Sequence, residues 1–167
     1  MGPRIRNTSP TTIAPTGTIS IIAGCSSGIE PLYALSYTRN VLDGTELVEI
    51  NEDLKRMLKD QGLSTEGYAL KDLLTDRLRQ LFRTSHEVAP EWHVRMQAAF
   101  QKHTQNAVSK TVNLPHEATI EDVHAVYMLA YDLKCKGVTI FRDGSKETQV
   151  LVERTTDGRT DGRTDGR

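Results

Sequence analysis

A chain of 167 residues fits a single domain. Its 37% hydrophobic residues and 12 glycines place it just under the roughly 45–50% usual for globular domains, enough for a modest core. With 21 basic and 22 acidic side chains the formal charge is -1, so no general field recruits nucleic acid or an anionic membrane, and an anion would need a local site.

The first element to read in chain order is Thr12-Ile13-Ala14-Pro15-Thr16-Gly17-Thr18-Ile19-Ser20. Pro15, Gly17 and the hydroxyls of Thr16, Thr18 and Ser20 stand at the mouth of an apolar run, Ile19-Ser20-Ile21-Ile22-Ala23. If the run opens a helix, its first N–H groups lack intrahelical acceptors, Gly17 admits a ligand close to the backbone, and the hydroxyls add donors. That chemistry suits an anion, and phosphate is the natural one. The same residues equally describe a hydroxyl-capped helix start with no ligand. Further on, Cys25 among small residues reads as a packed thiol, and Ile29-Glu30-Pro31 after Gly28 as a turn with no acid/base role.

Val41 to Gly62 reads as a loop leading into a helix. Asn51 is its N-cap, Glu52 and Asp53 occupy the first turn, Leu54, Met57 and Leu58 form one buried stripe, and Gly62 is the stop. A second helix is expected over Leu70 to Phe82, with Leu70, Leu73, Leu74, Leu78, Leu81 and Phe82 inward and Lys71, Asp72, Asp76, Arg77 and Arg79 solvated. A third starts at Pro90 and runs to about Lys110, with Trp92, Met96, Ala99, Phe100, His103 and Ala107 as a core stripe.

Thr111-Val112-Asn113-Leu114 is a short strand stopped by Pro115. Thr119 then caps a helix, with Asp122 in the capping-box position. That helix carries Val123, Val126, Tyr127, Ala130 and Leu133 and closes at Lys134, Lys136 and Gly137. Val138-Thr139-Ile140-Phe141 is the next strand, and Arg142-Asp143-Gly144-Ser145 a turn. Strand, helix and strand in so short a span make a βαβ unit and a parallel pair, hence an α/β architecture. The tail from residue 151 ends in three Thr-Asp-Gly-Arg repeats from Thr156, holds no apolar residue in them, and reads as disordered.

Cys25 and Cys135 are far apart, and neither a CxxC pair nor a zinc spacing occurs. There is no signal-peptide pattern and no apolar run near ~18 residues, which together indicate a reduced cytoplasm with no membrane partner. Cys135, between two lysines at a helix end, has a setting that favours the thiolate, but with no partner it reads as inert. The five histidines form no HExxH or i, i+4 pair, and His93 and His103 beside the Trp92 stripe read as structural.

Three stretches carry a family resemblance. Ala14-Pro15-Thr16-Gly17-Thr18-Ile19-Ser20 with Gly24-Cys25-Ser26-Ser27-Gly28-Ile29-Glu30-Pro31 is the first. The others are Asn106-Ala107-Val108-Ser109-Lys110-Thr111-Val112-Asn113-Leu114-Pro115 and Lys136-Gly137-Val138-Thr139-Ile140-Phe141-Arg142-Asp143-Gly144-Ser145. In this order they resemble the adenosylcobalamin-dependent (class II) ribonucleotide reductases, over roughly Arg6 to Val150.

The resemblance implies that residues 1–150 are a C-terminal portion of the catalytic domain, a ten-stranded β/α barrel, contributing late strands and helices. It implies that Ala14, Pro15, Thr16, Gly17, Thr18 and Ile19 hold the phosphate of the ribonucleotide substrate. The cofactor it implies is adenosylcobalamin, whose ligands do not map onto residues here, and the reductant of the whole enzyme is of the thioredoxin type. By the same resemblance the radical cysteine and the redox pair lie upstream of Met1, so Cys25 is neither, and no catalytic or metal residue is assigned. Relatives that import a radical carry adjacent tyrosines where this chain has Thr139 and Ile140, which fits a radical made from the cofactor. The expectation is a reductase segment inactive alone. The alternatives are one half of a split enzyme, active with its N-terminal partner, and a non-catalytic nucleotide- or phosphate-binding module.

Overall fold

The computed structural model describes residues 6–40, 46–64, 70–145 and 151–153. Along them run α1 (Gly17–Ala23), β1 (Ser36–Asn40), β2 (Glu46–Ile50), α2 (Glu52–Asp60), α3 (Asp76–Leu81), α4 (Pro90–Gln101), β3 (Thr111–Leu114), α5 (Ile120–Asp132), β4 (Thr139–Arg142) and β5 (Leu151–Glu153). The described residues fall into two units, one of residues 6–31 with 85–145, the other of residues 32–40, 46–64 and 70–84 with 151–153.

The first unit is built on the strand–helix–strand pattern. β3 and β4 pair in parallel, Thr111 opposite Thr139 through Leu114 opposite Arg142. Between them Thr119 caps α5 with a full capping box: its hydroxyl accepts from Asp122 N–H at 3.3 Å, and the Asp122 carboxylate accepts from Thr119 N–H at 2.8 Å. The Thr119 N–H and the Thr119 hydroxyl, both donating to it, hold the Asp122 carboxyl below its ordinary range. Val126 and Ala130 of α5 pack with Val94 of α4 and with Val112 and Leu114 of β3. The helix closes three residues before the expected glycine. Lys134, not Gly137, takes the left-handed conformation at φ 62, because Lys134 N–H reaches Tyr131 C=O and Cys135 N–H reaches Ala130 C=O in a Schellman closure.

α4 departs from its expected form twice. It stops at Gln101 rather than near Lys110, and the chain beyond makes an isolated parallel bridge, Val108 with Ile13. Its buried face is His93, Val94, Gln97, Ala98 and Gln101, whereas Trp92, Met96 and Phe100 stand 59%, 49% and 40% exposed. The helix has turned its polar stripe inward because that stripe meets backbone carbonyls needing donors. Gln101 Nε2 donates to Thr104 and Asn106 C=O at 3.0 and 2.9 Å, and Gln97 Nε2 to Val108 and Gly137 C=O at 3.2 and 2.6 Å.

In the second unit the strand order is β2-β1-β5, both pairings antiparallel. β2 occupies part of the stretch expected as a loop, because its backbone pairs with Ser36–Asn40; Val41 to Thr45 lie outside the described residues. Asn51 then caps α2 as expected, its side chain accepting from Leu54 N–H at 3.0 Å. Gly62 at φ 72 closes it, with Gly62 N–H on Lys59 C=O and Leu63 N–H on Leu58 C=O. Leu54 and Leu58 are fully buried, while Met57 sits at the rim.

The single helix expected over 70–82 is two pieces, a 3-10 turn at Leu70–Leu73 and then α3. Thr75 breaks it by turning extended and accepting from Leu78 N–H, the local bond that makes threonine a better cap than interior residue. Leu70, Leu74, Leu78 and Phe82 still reach one core with Leu35, Leu54 and Leu58; Leu81 faces out. β5 carries ordered backbone past residue 150, and the repeats from Thr156 lie outside the described residues. Among the described residues no helix is long and apolar enough to cross a membrane.

Candidate functional site

The residues singled out from the sequence, 14 to 19, form one continuous surface segment. Ala14, Pro15, Gly17, Thr18 and Ile19 are exposed and Thr16 is half-buried. The approach to it is pinned to the segment before β3: Ser109 N–H donates to Ile13 C=O at 2.9 Å and Asn106 N–H to Thr11 C=O at 3.0 Å. Thr16 then takes the left-handed conformation, φ 53 and ψ 25, and the chain turns into α1.

The hydroxyl cap expected here does not form. Thr16 Oγ1 instead accepts from Gly28 N–H at 2.9 Å, which leaves its own proton free to donate. The first helical bond is Ser20 N–H to Thr16 C=O, so the amides of Gly17, Thr18 and Ile19 precede it. Ser20 is buried and its hydroxyl donates to Gly17 C=O at 2.7 Å, a structural role. The isoleucines of the helix are outside, Ile22 at 81% exposed.

Gly28 is the hinge of this arrangement. Its φ is 52, a conformation that strains any residue with a Cβ, and a Cβ there would stand a tight 3.3 Å from Ala14 C=O, so glycine suits the close approach of the two stretches. Two residues on, Glu30 leaves the surface. Its Oε1 accepts from Thr111 N–H at 2.6 Å and its Oε2 from Lys110 Nζ at 2.5 Å. The Lys110 side chain is 1% exposed, and its three N–H groups all find acceptors: Glu30, His93 Nδ1 at 2.7 Å and Thr111 C=O at 2.8 Å.

His93 completes the cluster. Because Ser85 C=O can only accept, Nε2 carries the proton toward it at 3.0 Å, and Nδ1 is the acceptor for Lys110. Burial, helped by the Lys110 ammonium, pushes the imidazole below its ordinary pKa, consistent with this neutral tautomer. Burial also lowers Lys110, opposed by the Glu30 carboxylate.

Reading the sequence as a turn at Glu30 and a helix end at Lys110 missed this cluster. A signal was present: Val108, Lys110, Val112 and Leu114 alternate along one buried face, and a lysine in such a register needs a carboxylate. His93 is structural, as expected. Cys25 is exposed rather than packed, in the bend that follows the Gly24 helix end. Cys135 is not activated by its lysine neighbours; burial raises its thiol, as it points toward the α5 core. Among the described residues no group of three His, Cys, Asp or Glu side chains could hold a metal.

The family model described as ribonucleotide reductase, barrel domain, matches residues 4–141. A vitamin B12-dependent ribonucleoside-diphosphate reductase of Thermoplasma acidophilum is 45% identical over 165 residues, covering 93% of this chain and 22% of the relative. One of Mycobacterium tuberculosis H37Rv is 46% identical over 160 residues, 90% of this chain and 22% of the relative. Among solved structures, the Actinobacillus ureae class Id ribonucleotide reductase alpha subunit aligns with a TM-score of 0.66 at 24% identity, over 83% of this chain and 27% of that one. That likeness is one of fold. The chain thus spans about a fifth of the length of the curated relatives it matches.

Proposed function

This chain belongs to the ribonucleotide reductase family, within its barrel domain, and from that premise we propose that it forms the substrate-phosphate side of a cobalamin-dependent ribonucleoside-diphosphate reductase. The reaction replaces the 2′-hydroxyl of a ribonucleotide by hydrogen, with a thioredoxin-type dithiol as reductant. The observation that carries the reading is the exposed segment 14–19, with the Gly17, Thr18 and Ile19 amides ahead of the first helical bond and a free Thr16 proton. Those donors orient a diphosphate by its oxygens. The parallel β3–β4 pair then serves as two late strands of a ten-stranded barrel. The exposed faces of α4 (Trp92, Met96, Phe100) and α5 (Tyr127, Tyr131) support a segment that packs against further barrel.

Adenosylcobalamin is the cofactor of the proposed enzyme and supplies its radical chemistry. Its contacts do not map onto the residues described here: the one buried imidazole among them, His93, has both ring nitrogens engaged and offers the cobalt no ligand. No step is assigned to the cofactor on these residues; what they do is bind and orient.

The test combines the chain with a separately expressed upstream part of a close relative, adenosylcobalamin, a dithiol and cytidine diphosphate, and measures deoxynucleotide. Turnover is expected in the mixture. Thr18→Ala, which removes an exposed donor hydroxyl, should raise KM about fivefold at near-unchanged kcat. No turnover together with no diphosphate binding would overturn the reading.

A further inference from the structure

The Glu30–Lys110–His93 cluster lies outside the segment assigned to the substrate, yet it is joined to it through Gly28, which shortly precedes Glu30 and whose N–H holds Thr16 Oγ1. The buried pair does not explain itself as a source of stability. Burying an ammonium is expensive, and apolar residues of similar volume often serve as well or better. What a charge pair adds is a single geometry. Lys110 has its three N–H groups directed at three acceptors, and Glu30 has one oxygen on Lys110 and the other on the Thr111 amide. Glu30 is therefore fixed relative to the start of β3. Its N–H in turn holds Ser27 C=O at 2.9 Å, which closes the turn around Gly28. Gly28 N–H holds Thr16 Oγ1, and its bare α-carbon receives the Ala14 carbonyl.

We propose that Glu30 and Lys110 are positioning residues for the 14–19 segment: their ion pair anchors the Gly28 turn, and that turn sets the left-handed Thr16 and the amides that follow it. Neither residue touches the anion. They act through Gly28 and Thr16, with His93 accepting the third Lys110 proton and held in its tautomer by Ser85 C=O. The consequence for diphosphate binding rests on the phosphate reading of residues 14–19; the conformational claim does not.

The experiment uses the full chain, labelled with 15N, in three forms: unchanged, Glu30→Gln, and Glu30→Gln with Lys110→Met. Amide shifts, amide hydrogen exchange, urea midpoint and affinity for cytidine diphosphate and inorganic pyrophosphate are measured on each. In Glu30→Gln the Thr111 N–H keeps an acceptor but Lys110 loses its anion. The amides of Gly17, Thr18 and Gly28 should shift, Gly28 exchange should quicken about tenfold, and affinity for both ligands should fall about fivefold, while Val126 and Ile140 amides stay put.

The double variant separates positioning from stability. It removes the unpaired buried charge, so the urea midpoint should recover toward that of the unchanged chain. The Gly28 exchange and the affinity should not recover, because the geometry is gone. Affinity and the 17–28 amides that instead follow the midpoint back, or that never moved in Glu30→Gln, would overturn the proposal. If the unchanged chain binds neither ligand, the phosphate reading falls by itself, and the free-chain amides still decide whether the pair positions the segment.

Discussion

Replacing Gln97 by methionine tests the inverted polar face of α4. Gln97 is fully buried, and its Nε2 bridges Val108 C=O and Gly137 C=O, the residues leading into β3 and β4. Gln97 Oε1 has no partner among the described residues. Methionine keeps the volume and removes both polar atoms at once, the Nε2 with its two hydrogen bonds and the orphaned Oε1. Each buried carbonyl left without a donor costs about 1–3 kcal/mol, and deletion of the orphaned Oε1 returns about the same for one group. Gly137 is exposed and its carbonyl can turn to water, whereas Val108 is buried. The Val108 and Oε1 contributions roughly cancel, and the lost hydrogen bond to Gly137 C=O leaves a loss of about 0.5–1.5 kcal/mol. Gln97→Glu should be worse, because it sets a carboxylate against two carbonyl oxygens, and its deficit should shrink in acid as the carboxyl becomes a donor.

Urea unfolding followed by the fluorescence of Trp92, the only tryptophan and a residue of α4 itself, reads both variants. A Gln97→Met midpoint at or above that of the unchanged chain, with the same slope, would refute the argument that α4 faces inward to supply donors.

Two further outcomes follow from the same geometry. The His93 pKa is lowered from the ordinary 6.5 in the folded chain, so below that value the unfolded state binds the extra proton and the folded state resists it. The urea midpoint should therefore fall as pH drops through about 6.5, and His93→Gln should flatten that part of the profile; an unchanged slope would place the acid sensitivity elsewhere. At the turn after β4, Gly144 has φ 69 and a Cβ there would stand 2.7 Å from His116 Nδ1. Gly144→Ala should lose about 1–2 kcal/mol from the left-handed strain alone, with an added loss that disappears on a His116→Ala background. Equal losses on both backgrounds would mean that His116 swings away freely.

The elements legible in the sequence were those whose signal is local. The Thr119 capping box, the Asn51 cap, proline at the first position of α4 and the Gly62 stop each depend on residues within one turn of each other. The parallel β3–β4 pair was legible for the same reason, since strand, helix and strand follow without interruption. Thr75, by contrast, interrupts a leucine period that is otherwise continuous, and only the backbone around it shows that capping overrode periodicity.

The sequence by itself determined the family and the α5 crossover, and singled out residues 14 to 19, which lie at the surface. Tertiary structure alone decided which way α4 faces and what Lys110 is for. An apolar stripe goes inward only if nothing else claims the interior. Here the backbone carbonyls of Thr104, Asn106, Val108 and Gly137 did, and glutamines at helical spacing answered them. Glu30 and Lys110 are 80 residues apart. A buried charge finds its partner by distance in space, which no spacing along the chain records.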